Sequence, residues 1–481
     1  MTSLAAGPGA PLLRTNARPD GTLSVMKRSL NAVYAGTFTL RFSTGLTGGL
    51  LSYYLTELPR HGGAEVDAIA IGIFSALFFT SELILAPPFG VLSDRLGHHR
   101  VMQFGPMFGL VAVVLTWLTT SLPIIGATRL LEGASTAASV PSILGFIAVA
   151  TAGDELLRGR AAARFEGATL AGLGAGLVAA GIVFRIFGRW GFLLNALIYL
   201  VSFAIYRYGV QDAAEIQAEA EEEARAVRRT HAANTGATEP IVPAPVVPQA
   251  HPGLRRYVEL LRSSHVWLLA PTWIAINASL GLWTTQSIFQ LVKQPKPEFA
   301  DQWLMGRADP IEISLGLLVG LVVFFAGLAF WGDRFRRYRR TTIIFFGVLG
   351  GAVVILAAVL VNHSAGGPIP LRAVEGLAAA GGLFVLAGAT PAALGLLADV
   401  SEAFPHDRGA IMGLYSVFLA LGQIIGSLIG GSAADFKGID GMLVATFIFL
   451  AIALVPLSRL RSFEYRLSSA PDIVPGHEPA D

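Results

Sequence analysis

Long apolar runs, broken by short charged or turn-forming stretches, repeat along the whole chain. Length and punctuation mark twelve of them. The first six cover about 30–55, 68–92, 101–122, 124–150, 165–187 and 192–208. The second six cover about 266–292, 311–331, 341–361, 369–397, 409–434 and 442–460. A helix rising about 1.5 Å per residue crosses the hydrocarbon core of a bilayer in about 20 residues, within the reach of these runs. The pattern predicts an all-α, multi-pass membrane protein with twelve transmembrane helices.

The longest polar interruption, 211–264, falls between the two sets of six. It opens as an acidic, Ala-rich helix former over 215–229 and passes into a segment carrying Pro240, Pro243, Pro245, Pro248 and Pro252. It closes on 254–262, a short amphipathic stretch suited to a membrane surface. The expected organisation is an N-terminal tail (1–26), a six-helix bundle (27–209), a linker with an interfacial helix (210–264), a second bundle (265–461) and a C-terminal tail (462–481). Ordered internal matches relate the bundles. Asp94-Arg95 returns as Asp333-Arg334 at an offset of 239, and Arg129-x-x-Glu132-Gly133 as Arg372-x-x-Glu375-Gly376 at 243. Pro141, Leu144, Gly145, Arg158, Gly159, Gly172, Gly176 and Gly181 all return at an offset of 250. A slowly growing offset means a duplicated six-helix unit, hence two pseudosymmetric halves.

Composition strengthens the membrane assignment. Hydrophobic residues make up 53% of the 481 and charged ones 14%, against about a quarter charged in soluble proteins. Mean hydropathy is +0.60. The net charge of +2 is spread over short loops and suggests no nucleic-acid partner. With no Cys, disulfides, thiolate metal sites and thiol nucleophiles are excluded. Lys27, Arg28, Arg95, Arg100, Arg158, Arg160, Arg164, Arg255, Arg256, Arg262, the run Arg334 to Arg340, Arg408, Arg459 and Arg461 all fall on one side, with Arg185 and Arg189 as exceptions on the other. The positive-inside rule makes that side, and both termini, cytoplasmic. The first 26 residues lack an apolar core before Lys27 and read as a tail, not a cleaved signal.

The hairpin between the second and third runs reads Gly90-x-x-x-Asp94-Arg95-x-Gly97-x-x-Arg100. This spacing resembles the signature loop between the second and third helices of the major facilitator superfamily. The resemblance implies a charge relay that latches the cytoplasmic gate in the outward-open state. Gly90, Asp94, Arg95, Gly97 and Arg100, with Asp333 and Arg334 in the second half, are then gating residues. His98 and His99 stand where the family often has Arg, which leaves the basic end of the latch partly titratable. An ordinary positive-inside loop is the plainer reading of the same residues.

Ionisable groups in mid-membrane cost a few kcal/mol or more each and need a reason. Four qualify. Arg41 lies on the helical stripe Tyr34, Phe38, Arg41, Gly45, Gly48 and Ser52. Glu82 lies about 15 Å from the cytoplasmic end of its run. Arg129 and Glu132 stand one turn apart in the fourth run. The stretch Arg129-Leu-Leu-Glu132-Gly133-Ala-Ser-Thr-Ala137 resembles the fourth-helix motif of proton-coupled members, in which the Arg faces the cavity and is implicated in proton transfer. On that basis Glu132 is the expected proton carrier, with Arg129 as its moving counter-charge, and Glu82 beside Arg41 is the competitor. Alternatively, the four charges neutralise one another and pin the bundle together.

The fifth run carries Gly172-Leu-Gly174-Ala-Gly176, and the eleventh Gly422 and Gly426; small residues four apart let helices approach closely. Drug/proton antiporters of the superfamily have Gly-Pro-x-x-Gly-Gly in the fifth helix. Leu173 and Leu177 stand here in place of the Pro and the final Gly, although the other motifs resemble those antiporter-like members most. The resemblance also implies that helices one, four, seven and ten line a central cavity. Tyr34, Phe38, Arg41, Asn277, Trp283, Gln286, Arg372 and Glu375, with Gln423 from the eleventh, are the candidate substrate ligands. Arg372 and Glu375 stand seven residues further from Pro391 than their counterparts from Pro141, which puts them near the outer interface on a continuous helix.

The expected function is secondary active transport of a small amphiphilic or aromatic solute across the cytoplasmic membrane by alternating access, as proton-coupled efflux. Protons, the small-molecule substrate and the lipid bilayer are the expected partners, and the protein is expected to be a monomer. No metal, cofactor or enzymatic activity is expected, because no phosphate loop, ligand cluster or nucleophile constellation is found. Two alternatives remain: a facilitator or proton symporter importing an organic anion onto Arg41 and Arg129, and a non-transporting assembly factor like those of a pigment-protein branch of the superfamily.

Overall fold

The computed structural model describes residues 20–152, 155–212, 266–334, 337–364, 368–402 and 408–469. The expected interfacial helix 254–262 and most of the linker lie outside them. Every regular element described is helical. The first half contains α1 (Asp20–Glu57), α2 (Ala68–Leu96), α3 (Phe104–Leu118), α4 (Leu122–Ala150), α5 (Glu155–Phe187) and α6 (Gly191–Gly209). The second contains α7 (Val266–Val292), α8 (Pro310–Gly332), α9 (Arg340–His363) and α10, in two pieces Ile369–Leu386 and Ala389–Glu402. The last stretch, Arg408–Ser469, is broken at Lys437 and Gly438, where Gly438 takes a positive φ of 60°, into α11 (408–436) and α12 (439–469).

Eight described stretches are long and apolar enough to cross a membrane, and two of them, Leu157–Gly209 and Ser416–Ser462, hold two helices each. Helices α1 and α7 complete the twelve. They carry polar residues within the span, Thr37, Thr39, Arg41 and Thr47 in one and Thr272, Asn277, Gln286 and Gln290 in the other. Helix ends follow local chemistry. Asp67 caps α2 by accepting from Ala70 N at 2.7 Å. Asp309, Pro310 and Glu312 start α8 with a capping box. Helix α5 begins at Glu155, ten residues ahead of the apolar run at 165. Its first turns, rich in Leu, Arg and Ala, are good helix formers that hydropathy does not register.

In lipid, helices gain little from the hydrophobic effect on associating, so close backbone contact must hold them. A Cβ at Gly172 or Gly176 of α5 would collide with the carbonyls of Phe38 and Phe42 on α1. In the second half, Gly422 and Gly426 of α11 meet the carbonyls of Ile274 and Ala278 on α7, again without room for a Cβ. Ile274 and Ala278 follow Phe38 and Phe42 by one offset, 236, so the duplicated glycines make duplicated contacts.

The halves meet in the same paired fashion. Gly181, near the end of α5, has no room for a Cβ against the carbonyl of Pro310 on α8; its copy Gly431, near the end of α11, is pressed against the carbonyl of Ala68 and against Gly72 on α2. Both contacts lie at the far face, away from the arginine-rich loops. Polar ties join them there. Gln286 donates to Ala68 O at 2.8 Å, Lys293 Nζ to Val66 O at 2.6 Å, and Arg185 pairs with Asp309 at 3.6 Å. The two apolar cores also exchange residues at that face. Ala68 joins the second-half core, and Ile288, Phe289 and Ile313 join the first-half core. Among the described residues no buried core residue crosses between the halves near the basic face.

Candidate functional site

Arg129 and Glu132 stand three residues apart on one side of α4, so their side chains reach each other and form an ion pair. Both are closed off, with 7% and 2% of their surfaces exposed. The ring of Phe78 from α2 covers the guanidinium at 4.9 Å. Gly133, next to Glu132, lets α2 come down onto the pair, and Ser81 Oγ fastens it by donating to Leu130 O at 2.7 Å. Glu132 Oε1 and Arg129 Nε have no hydrogen-bond partner. The pair is neutral as a unit and only partly satisfied.

A second charged group stands beside it. Arg41 Nη1 donates to Thr136 Oγ1 of α4 at 3.4 Å, and the close approach of Gly172 brings α5 against the Cβ of Arg41. Its charge acts on Glu82 of α2 and also on Glu166 of α5. Arg41, Glu82 and Glu166 are all half-buried, unlike the enclosed pair. Glu166 was hidden in the sequence by its surroundings. It follows Arg158, Arg160 and Arg164 and sits at the edge of the apolar run, where a carboxylate reads as interfacial. Tyr34, close enough to Arg164 to feel its charge, is half-buried; Phe38 is 39% exposed, with Phe42 at 6.3 Å.

The second-half candidates are spread out. Asn277 is buried against Gly422 and donates to Trp273 O of its own helix at 2.8 Å. Trp283 donates through Nε1 to Thr446 of α12 at 2.9 Å, and Gln286 is the tie to Ala68 described above. The last two of these polar groups join helices. Gln423 of α11 lies against Gly281, its Oε1 buried without a hydrogen-bond partner. Arg372 and Glu375 are at the far face. Arg372 stacks over Trp303 of the α7–α8 loop at 4.7 Å, and buried Glu375 accepts from Ser364 Oγ at 3.4 Å. The structure does not bring them to Arg129 and Glu132, the pair they copy.

The hairpin between α2 and α3 turns at Gly97, whose φ of 94° suits a residue without a Cβ. Ser93 Oγ donates to Gly90 O at 2.8 Å, and His98 Nδ1 lies 3.1 Å from Ser93 Oγ and packs on Gly145 of α4. Asp94 pairs with His98 at 3.9 Å, and His99 with Asp212 beyond α6 at 3.3 Å. Arg95 and Arg100 are exposed. In the copy, Asp333 ends α8 and Arg334 folds back over the Phe330 ring at 3.3 Å while donating to Phe330 O.

An open groove of about 820 Å³ lies elsewhere, between α7, α11 and α12. Its lining is apolar, including Pro271, Ile274, Phe418 and Phe449, and half-exposed Ile452 faces its rim. No charged residue is among its described lining residues, and the groove is separate from the charged site.

The family model described as Major Facilitator Superfamily matches residues 33–371. A multidrug resistance protein, MdtG of Proteus mirabilis (strain HI4320), is 29% identical over 117 residues, which cover 24% of this chain and 29% of that protein. The match to this MdtG therefore spans less than a third of its length. The quinolone resistance protein NorA of Staphylococcus aureus (strain MSSA476) is 20% identical over 415 residues, 85% of this chain and 91% of that protein. The solved structure of the nucleoside transporter NupG superposes with a TM-score of 0.64 at 12% identity, covering 90% of this chain and 98% of that one. At that identity the likeness speaks for the fold alone.

Proposed function

Since the chain belongs to the major facilitator superfamily, we propose that it is a secondary active transporter that expels a small amphiphilic or aromatic solute in exchange for protons. The names of MdtG and NorA as resistance proteins support export. One observation carries the reading: the two halves clasp at the far face, while half-exposed Phe38 and half-buried Arg41 and Glu82 stand at mid-depth behind that closure. By the positive-inside rule the basic face is cytoplasmic, so this is the state that admits solute from the cell interior. Releasing the paired contacts Gly181–Pro310 and Gly431–Ala68 opens the other side.

Within this scheme the enclosed Arg129–Glu132 pair pins α4 to α2, and the titratable work falls to the less enclosed Glu82. Import of an organic anion loses one of its two arginines, because Arg129 is already neutralised by Glu132. The test is flux in proteoliposomes carrying an acidic interior, with the aromatic dye ethidium outside. Uphill accumulation that collapses with a protonophore is the expected result. Accumulation that ignores the gradient would remove proton coupling, and no flux of ethidium or other aromatic amphiphiles would remove transport.

A further inference from the structure

Between α7 and α8 the chain forms only one short helical turn, Pro297–Phe299, yet it is held from several sides. Trp303 N donates to Asn362 O of α9 at 2.8 Å, and Leu304 N donates to Asn362 Oδ1 at 3.2 Å. Gln302 accepts from Asp440 N of α12 at 3.3 Å and donates to Lys437 O, in the break between α11 and α12, at 2.8 Å. Gly438 at that break makes room for Gln302, because a Cβ there would strike its amide. The same loop reaches the first half, where Lys293 Nζ lies 3.4 Å from Glu65 as well as 2.6 Å from Val66 O. Lys296 pairs with Asp435 of α11 at 3.0 Å and feels the charge of Asp67, the cap of α2. Whatever holds this loop therefore also holds part of the far-face closure.

A titratable ring stands among these ties. His363, the last residue of α9, has Nε2 3.0 Å from both carboxylate oxygens of Asp440, and Nδ1 3.9 Å from Asp301 Oδ2 in the loop. Asp440 also accepts from Asn362 Nδ2 at 2.8 Å. The other charged groups on the elements packed here are Lys437 of the break, Arg372 over Trp303, and Glu375, which accepts from Ser364 Oγ. A neutral imidazole donates from one nitrogen, whereas its protonated form donates from both and carries a positive charge. We propose that His363 is a pH switch on the far-face closure. Protonated, it joins Asp440 of α12 to Asp301 of the loop and fixes the loop in place; neutral, it no longer offsets the two acids, and the loop loosens. On the expected orientation this face is external, so acid outside favours the state open to the cell interior. The side chains of His363, Asp440 and Asp301 are 40%, 30% and 68% exposed, so bulk protons reach them. That exposure also limits the effect to a few-fold change in the closed population, the size expected of a partly exposed ion pair. For its use in the cell the switch rests on the transport reading above, but its claim concerns the closure.

The Cys-free chain accepts a pair of spin labels on cysteines in place of exposed Ala64, in the α1–α2 loop, and exposed Ala300, in the α7–α8 loop. Distances between them are measured in full-length protein in lipid nanodiscs at about pH 5.5 and about pH 8.5, on either side of the range in which histidine titrates. The ratio of short to long distances is expected to be roughly two- to fivefold higher at the acid end. His363→Gln keeps a hydrogen-bond donor but cannot carry the charge, and is expected to show the alkaline distribution at both pH values. His363→Arg is charged throughout and is expected to show the acid distribution at both, which separates the switch from a loss of packing. A wild-type distribution that ignores pH, a response of opposite sign, or a full response surviving in either variant overturns the proposal. If the distances switch but uphill ethidium flux is absent, the transport reading falls and the switch stands. If flux is present but the distances do not move with pH, the reverse is true.

Discussion

At the scale of the residue, identical chemistry is used in two ways. Glu132 and Glu82 are both carboxylates in the middle of helices, yet one is paired with Arg129 under the Phe78 ring and the other is only partly buried. On the proposed reading, enclosure gives the first a structural role. Removing one partner of such a pair leaves a buried, uncompensated charge, which costs about 3–5 kcal/mol. Arg129→Gln and Glu132→Gln are therefore each expected to lower the thermal unfolding temperature of the purified protein by several degrees. The double substitution, which removes both charges, is expected to recover most of that loss. Two single variants as stable as wild type would show that the pair does not pin α4 to α2. Glu82 is not enclosed, so Glu82→Gln is expected to spare stability.

At the scale of the element, small residues decide where helices touch. Gly181 and Gly431 occupy equivalent positions in the duplicated unit, and each lies on a carbonyl of the other half at the far face. A leucine at either position would push the halves apart there, because no adjustment of a flexible neighbour makes room against backbone. Gly181→Leu and Gly431→Leu are each expected to reduce flux more than roughly tenfold at normal membrane abundance. Spin-label distances between α5 and α8, or between α2 and α11, are expected to lengthen at the far face. Unchanged distances would mean that these contacts do not close that side. Gly159, with open space around it, is the natural control.

At the scale of the whole molecule, orientation in the membrane turns a clasp at one face into a statement about access. By the positive-inside rule, the arginine-rich loops are expected to lie in the cytoplasm. The Cys-free chain makes this simple to check. A cysteine in place of exposed Ser121, in the α3–α4 turn, is expected to react with an impermeant maleimide in intact cells. One in place of exposed Gly159 is expected to react only after permeabilisation. The opposite pattern would invert the topology, and with it the direction of the proposed transport.

The chain by itself determined the number of helices, their pairing into two repeated halves and the residues that bear charge within them. Each of these rests on a local cost: an apolar run long enough to satisfy its own backbone in lipid, a glycine where two backbones approach, a charge that needs a reason to be immersed. Glu166 was the exception, because one turn of helix next to an arginine-rich loop looks the same from hydropathy whether it faces lipid headgroups or the interior. Contacts between helices distant in sequence decided the rest. Arg129 and Glu132 were legible as neighbours, but their enclosure depends on Phe78 and Gly133 bringing α2 onto them. Gln286 and Trp283, expected as cavity ligands from the family resemblance, bond to Ala68 and Thr446 of other helices, since a polar side chain immersed in apolar surroundings bonds to whichever partner the packing supplies. Which face is clasped is likewise set by how the two halves lean on each other, a property that a repeated sequence leaves open because it encodes both ends of the same seam.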